Sequence, residues 1–178
     1  MKAHEKRLLN RLFPDMYVET ILDVPLDELM VRGIKAFIID LDNTTTHWNS
    51  NYLSTEVQEW FARLRTLELK ACFLSNNGEQ RVMAVAGSLD VPYVFRAQKP
   101  RRGGYRQAME VMGSDIASTA VIGDQIYTDI LGGNRTGLFT ILVKPIHTRE
   151  FMGTKISRMF ERPVLWRIHR KQDRLKNG

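Results

Sequence analysis

Two aspartates one residue apart, Asp40 and Asp42, stand directly after the apolar run Ala36-Phe37-Ile38-Ile39 and open the segment Asp40-Leu41-Asp42-Asn43-Thr44. A carboxylate held at the end of a strand can attack phosphorus and form an acyl phosphate. A second carboxylate two residues on can protonate the leaving oxygen and later take a proton from water. Neighbouring charges push the two pKa values apart, so one such pair can supply both an acid and a base. Taken alone, the segment reads equally well as an Asx-turn closing a strand. Gly123-Asp124-Gln125-Ile126-Tyr127-Thr128-Asp129 adds two more carboxylates after another apolar run. Four acidic groups facing a phosphate would repel it, so the constellation needs a hard cation. Mg²⁺ is the expected ion, because it takes oxygen donors, keeps several waters and bridges phosphate oxygens.

Neutral and basic groups complete the set. Ser75, in Leu74-Ser75-Asn76-Asn77, offers a hydroxyl and nearby main-chain donors, and Lys99, in Ala97-Gln98-Lys99-Pro100, offers a point charge to a phosphoryl group. With Thr44 and Asn76 they form the expected substrate-binding group. A lone serine or lysine at a strand end is ordinarily solvated surface; what gives these weight is their order and register.

The elements that must position them follow from the apolar pattern. Runs rich in β-branched and aromatic residues at 34–39, 69–74, 93–95, 119–122 and 139–143 read as strands. Segments of helical spacing at 55–67, 79–89, 102–112 and 127–134 lie between them, with Ser54 or Thr55 as a cap for the first and Gly87 to Pro92 marking the exit from the second. Alternation of this kind predicts an α/β fold, a Rossmann-like three-layer sandwich around a mainly parallel sheet. In open α/β sheets ligands bind outside the carboxyl ends of the strands, and all four polar clusters fall there.

Asp40-Leu41-Asp42-Asn43-Thr44, Ser75, Lys99 and Gly123-Asp124 with Asp129 resemble, in order, the four motifs of the haloacid-dehalogenase (HAD) superfamily of phosphatases, across about residues 14 to 146. More narrowly, Phe13-Pro14-Asp15, the Asp40 segment, and Gly123-Asp124-Gln125 through Asp129-Ile130-Leu131-Gly132-Gly133-Asn134-Arg135 are similar to subfamily IIIA members of the YqeG type. The resemblance implies Asp40 as nucleophile, Asp42 as acid/base, Ser75 and Lys99 as phosphate ligands, and magnesium held by Asp40, the Asp42 carbonyl and Asp124. Asp129 would support Lys99 or the metal. One departure is local: the family usually has an apolar residue after the motif threonine, whereas Thr45, Thr46, His47 and Trp48 follow here. His47 and Trp48 either contact substrate at the mouth of the site or pack on the body.

Superfamily members often insert a cap domain after the first or second motif. Only 30 residues separate Thr44 from Ser75, and 23 separate Ser75 from Lys99. One helix and its connections consume each interval, so the enzyme is expected to be capless with an open cleft.

The 178 residues suit one domain, 1–178, with a basic amphipathic segment from about 147 to 178. The formal charge of +6 is uneven: from Lys144 onward there are 10 Lys and Arg against 3 Asp and Glu, which leaves residues 1 to 143 at −1. In that segment Met152, Ile156, Met159 and Phe160 fall at helical spacing among basic residues, and Lys2, Lys6, Arg7 and Arg11 sit among Leu8, Leu9, Leu12 and Phe13 at the other end. Such ends suit peripheral contact with an anionic membrane, or packing on the body or on a second copy. Nucleic acid is disfavoured as a partner for want of a recognition motif. The single cysteine, Cys72, excludes an intrachain disulfide framework. With no signal-peptide pattern, the expected place is the cytoplasm, at most peripheral at the inner face of a membrane.

The YqeG-type family also resembles the phosphatidylglycerophosphate phosphatases, which makes a lipid headgroup one candidate substrate. A nucleotide, a nucleic-acid end or a phosphoprotein is the alternative within phosphatases. A non-catalytic membrane- or partner-binding scaffold is the alternative outside them.

Overall fold

The structure, a computed structural model, describes residues 10–47 and 50–146. The basic C-terminal segment, the first nine residues and Trp48 lie outside the described residues. Six strands form one all-parallel sheet: β1 (Met16–Val18), β2 (Ala36–Ile39), β3 (Lys70–Leu74), β4 (Tyr93–Val94), β5 (Thr119–Gly123) and β6 (Phe139–Val143), in the order β1-β6-β5-β2-β3-β4. The helices are α1 (Leu26–Val31), α2 (Thr55–Thr66), α3 (Glu79–Leu89), α4 (Arg102–Met112) and α5 (Leu131–Thr136), with a 3-10 turn at Ile21–Asp23 and a π turn at Ile126–Ile130.

β2 is apolar throughout, and β3 and β5 are apolar beyond their first residues Lys70 and Thr119, because both faces of these strands are covered. Alternation along β2 divides them: Phe37 and Ile39 enter a core under α2 and α3 with Trp60, Phe61, Phe73, Val82 and Val85. Ala36 and Ile38 enter the opposite core under α4 with Cys72, Tyr105, Ala108 and Met112. This is the expected three-layer sandwich. Ser54 caps α2, its side-chain oxygen accepting the Val57 N–H at 3.4 Å.

Register then sets the site. Ile39 of β2 pairs with Phe73 of β3 on one side and Ile122 of β5 on the other. Asp40 therefore emerges level with Leu74 and Gly123, one residue short of Ser75 and Asp124. Strand order reverses at β2, whose chain neighbours run outward to β3 and β4 on one side while β5 and β6 return on the other. The crevice at such a switch point is where α/β proteins bind ligands. Between Thr44 and Ser75 the described chain holds only α2 and β3, and between Ser75 and Lys99 only α3 and β4, so no cap domain is inserted.

Candidate active site

Asp40 begins a tight loop. Its N–H donates to the Ile122 carbonyl at 2.8 Å, and Asn43 turns the chain with φ of 60°, a left-handed conformation asparagine tolerates. Thr45 and Thr46, the departure from the family pattern, have a local explanation. The Thr45 hydroxyl donates to the Leu41 carbonyl at 2.8 Å and the Thr46 hydroxyl to the Tyr52 carbonyl at 2.6 Å. Both are buried, and both hold the loop shut from within. Thr44 donates to Asp40 Oδ2 at 3.5 Å.

Lys99 arrives from the loop between β4 and α4. Its backbone is stapled to the β3–α3 turn: Lys99 N–H donates to Asn76 Oδ1 at 2.7 Å, and Asn76 Nδ2 donates to the Lys99 carbonyl at 3.4 Å. Gln98, with φ of 55°, and a cis peptide bond between Lys99 and Pro100 shape the turn. Gly104 lets α4 close on it, since a Cβ there would stand 2.8 Å from that of Ala97. The Lys99 ammonium is buried between two carboxylates, pairing with Asp40 Oδ1 and with Asp129 Oδ1, the latter at 2.7 Å.

Asp129 is delivered by the π turn that follows β5. Its second oxygen accepts the Gln125 N–H at 3.1 Å. The buried Tyr105 hydroxyl on α4 supports the turn from below, donating to the Thr128 carbonyl at 2.9 Å. Asp124 is also buried, and oxygens of Asp40, Asp124 and Asp129 all lie within 4.8 Å of one another.

Three clustered carboxylates with one ammonium paired to two of them leave a surplus of two negative charges in a buried space. Burial pushes Asp40 up, to about 7, against the lowering pull of Lys99, and Asp129 and Asp42 push it further in the same direction. For Lys99, burial favours the neutral amine, but Asp129 and Asp40 outweigh it and raise its pKa. A hard divalent cation suits this donor set, being all oxygen, anionic and charge-deficient by the right amount.

Asp42 does not join that cluster. Its side chain points to the β3–α3 segment, where Asn77 Nδ2 donates to Oδ2 and Arg81 donates to Oδ1 from Nη2 at 2.9 Å and from Nε at 3.3 Å. Arg81 and Asn77 were not among the expected site residues. One signal for Arg81 was available: a cation in the first turn of a helix opposes the macrodipole and needs a local reason. Ser75 is buried, its hydroxyl oxygen accepting the Asn77 N–H at 3.1 Å; Asn76 is exposed. Beside Thr44 opens a cavity of about 550 Å³, lined by Ile21, Leu22, Tyr52, Val57 and Ile146, with His47 and Lys144 among its polar groups.

The remaining family-type residues are ties. Asp15 accepts from the Thr140 N–H at 2.8 Å, and Asn134 Nδ2 donates to the carbonyls of Arg11 at 2.8 Å and Phe13 at 2.9 Å. Asp15 fastens the start of β1 to β6, and Asn134 holds the chain before β1 to α5.

A family model described as HAD-hydrolase-like matches residues 96–150, the stretch that carries Lys99, Asp124 and Asp129. The chain is 35% identical over 165 residues to the probable phosphatase YqeG of Bacillus subtilis, covering 92% of this chain and 96% of that one. The chain thus belongs to the YqeG family of HAD-like phosphatases, and is a phosphoric monoester hydrolase. It is 26% identical over 158 residues to phosphatidylglycerophosphate phosphatase 1 of Chlamydomonas reinhardtii, covering 83% of this chain but 59% of that longer protein. In fold it resembles the cobalt-bound deoxy-D-mannose-octulosonate 8-phosphate phosphatase of Haemophilus influenzae, with a TM-score of 0.52 at 16% identity over 64% of this chain and 70% of that one.

Proposed function

We propose that this phosphatase works through an aspartyl phosphate on Asp40 with Mg²⁺ as its ion, and that its substrate is a phosphorylated lipid headgroup of the phosphatidylglycerophosphate kind. The observation that carries the chemistry is the buried cluster of Asp40, Asp124 and Asp129 at the carboxyl ends of β2 and β5, with Lys99 paired to Asp40 and Asp129.

In the first half-reaction an Asp40 oxygen bonds to phosphorus while the bond from phosphorus to the leaving oxygen breaks, and Asp42 gives that oxygen its proton. In the second, Asp42 takes a proton from water, the water oxygen bonds to phosphorus, and Asp40 departs as a carboxylate with release of inorganic phosphate. Asp40, Asp124 and the main-chain carbonyl of Asp42 would hold the ion, which supplies charge neutralisation and polarises the phosphoryl group. Lys99, held by Asp129, neutralises phosphoryl oxygens, and Thr44, Ser75 and Asn76 complete their binding.

Two things support the lipid substrate. The Chlamydomonas relative is named for phosphatidylglycerophosphate, and the cavity beside Thr44 has an apolar side suited to the non-phosphate part of a substrate. Among the described residues no helix is long and apolar enough to cross a membrane; the basic ends of the chain are the segments assigned to contact with an anionic lipid surface. Phosphate release from phosphatidylglycerophosphate in vesicles, set against sugar phosphates, nucleotides and phosphopeptides, tests the substrate. Preference for the vesicle-borne lipid is expected, and equal or better turnover of the soluble phosphates contradicts it.

A further inference from the structure

The carboxylate of Asp42 is oriented from across the cleft. Its two nearest loop neighbours, Leu41 and Asn43, are committed elsewhere: the Leu41 carbonyl accepts from Thr45, and the Asn43 N–H donates to Thr46. Both Asp42 oxygens are met by side chains of the segment that follows β3. Asn77 takes Oδ2, and Arg81 takes Oδ1 with two donors of one guanidinium edge.

Arg81 does more than pair. Its Nη2 also donates to the His47 carbonyl at 2.9 Å and its Nη1 to Asn51 Oδ1 at 2.5 Å. One planar group therefore fixes Asp42 and ties it to the later part of the same loop at His47 and Asn51, a fork that a lysine cannot reproduce. The register of α3 puts it there: Val82, Val85, Ala86 and Leu89 are buried, which leaves Arg81 at the rim, with its side chain 18% exposed opposite an Asp42 side chain at 16%. An ion pair so little exposed to water holds its geometry better than a surface pair.

We infer that Arg81 is a positioning residue for the reaction: it sets the orientation from which Asp42 exchanges protons with the leaving group and with water. The inference rests on the reading of Asp42 as acid/base and deepens it. Loss of Arg81 should therefore act on proton delivery more than on substrate binding.

A leaving-group series separates these effects. Aryl phosphates whose phenols range from acidic to basic are turned over by the full chain and by Asp42→Asn, Arg81→Ala and Arg81→Lys. An acidic phenol departs without help, whereas a basic one needs a proton. Asp42→Asn should lose on the order of 10²–10⁴-fold on the basic phenols and much less on the acidic ones. Arg81→Ala should reproduce that steepened dependence, with about 10- to 100-fold loss in kcat at the basic end and little change in KM. Arg81→Lys should recover part of it.

An equal loss across the series, a rise in KM alone, or a rise in kcat would overturn the inference. A steep series for Asp42→Asn with a flat one for Arg81→Ala overturns the role of Arg81 and leaves that of Asp42 standing. A flat series for Asp42→Asn overturns both. If Arg81→Ala does not fold, Arg81→Lys and Arg81→Gln carry the same comparison.

Discussion

The carboxyl of Asp129 lies directly over Gly123, so close that a Cβ on that glycine would stand 2.5 Å from the Asp129 Cβ and from its Oδ2. The glycine of Gly123-Asp124 is there to make room for the acid six residues on, which holds Lys99. Its use is separate from turning the chain.

Gly123→Ala should therefore displace Asp129 and, through it, Lys99. A shift of about 1 Å at a reacting centre costs on the order of 100-fold, and overpacking of this kind costs about 1–3 kcal/mol of stability. Activity should fall toward that of Asp129→Asn, as checked by kcat/KM on an aryl phosphate beside a thermal melt. Full activity in a folded Gly123→Ala protein would break the link between these two residues.

Asp15 and Asn134 belong to the family-type segments but make structural ties to β6 and to the chain before β1. Asp15→Ala and Asn134→Ala should each lower stability by about 1 kcal/mol, the cost of stranding partly buried partners. Below the melting transition kcat should be unchanged. Denaturant unfolding with activity at low temperature checks both halves.

Cys72 is buried on β3, and burial pushes its thiol up to about 12. Because the folded-state value is raised, the folded protein binds more protons than the unfolded chain between the ordinary thiol range and about 12. Stability from this group is intact below that window and falls as pH rises through it. At pH 8 the thiol should be unreactive toward alkylating reagents until the protein unfolds, with labelling followed by mass spectrometry across a denaturant series. Rapid labelling of the native protein would contradict the burial.

Much of this was legible in the chain because parallel strands buried on both faces leave continuous apolar runs, and the acidic clusters sit at their ends. The short edge strand β1 was not, since three half-buried residues carry no pattern of that kind. Nor was α1, which has only six residues. The segment 127–134, expected as one helix, divides into a π turn and α5, and the π turn is what aims Asp129 at Lys99. Arg81 escaped because its partner lies 39 residues back in the chain, and only the pairing of β2 with β3 brings them together. Thr45 and Thr46 looked like an irregularity until their hydroxyls were seen to close the loop from inside.

The most direct test of the central claim is inorganic phosphate release from an aryl phosphate by the full chain and by Asp40→Asn, each with Mg²⁺ and with chelator. Release by the parent chain in Mg²⁺, its loss on chelation, and a fall of at least about 10³-fold in Asp40→Asn, as expected when a covalent nucleophile is removed, are the predicted results. Undiminished release by Asp40→Asn, or release that persists without a divalent ion, would contradict the account.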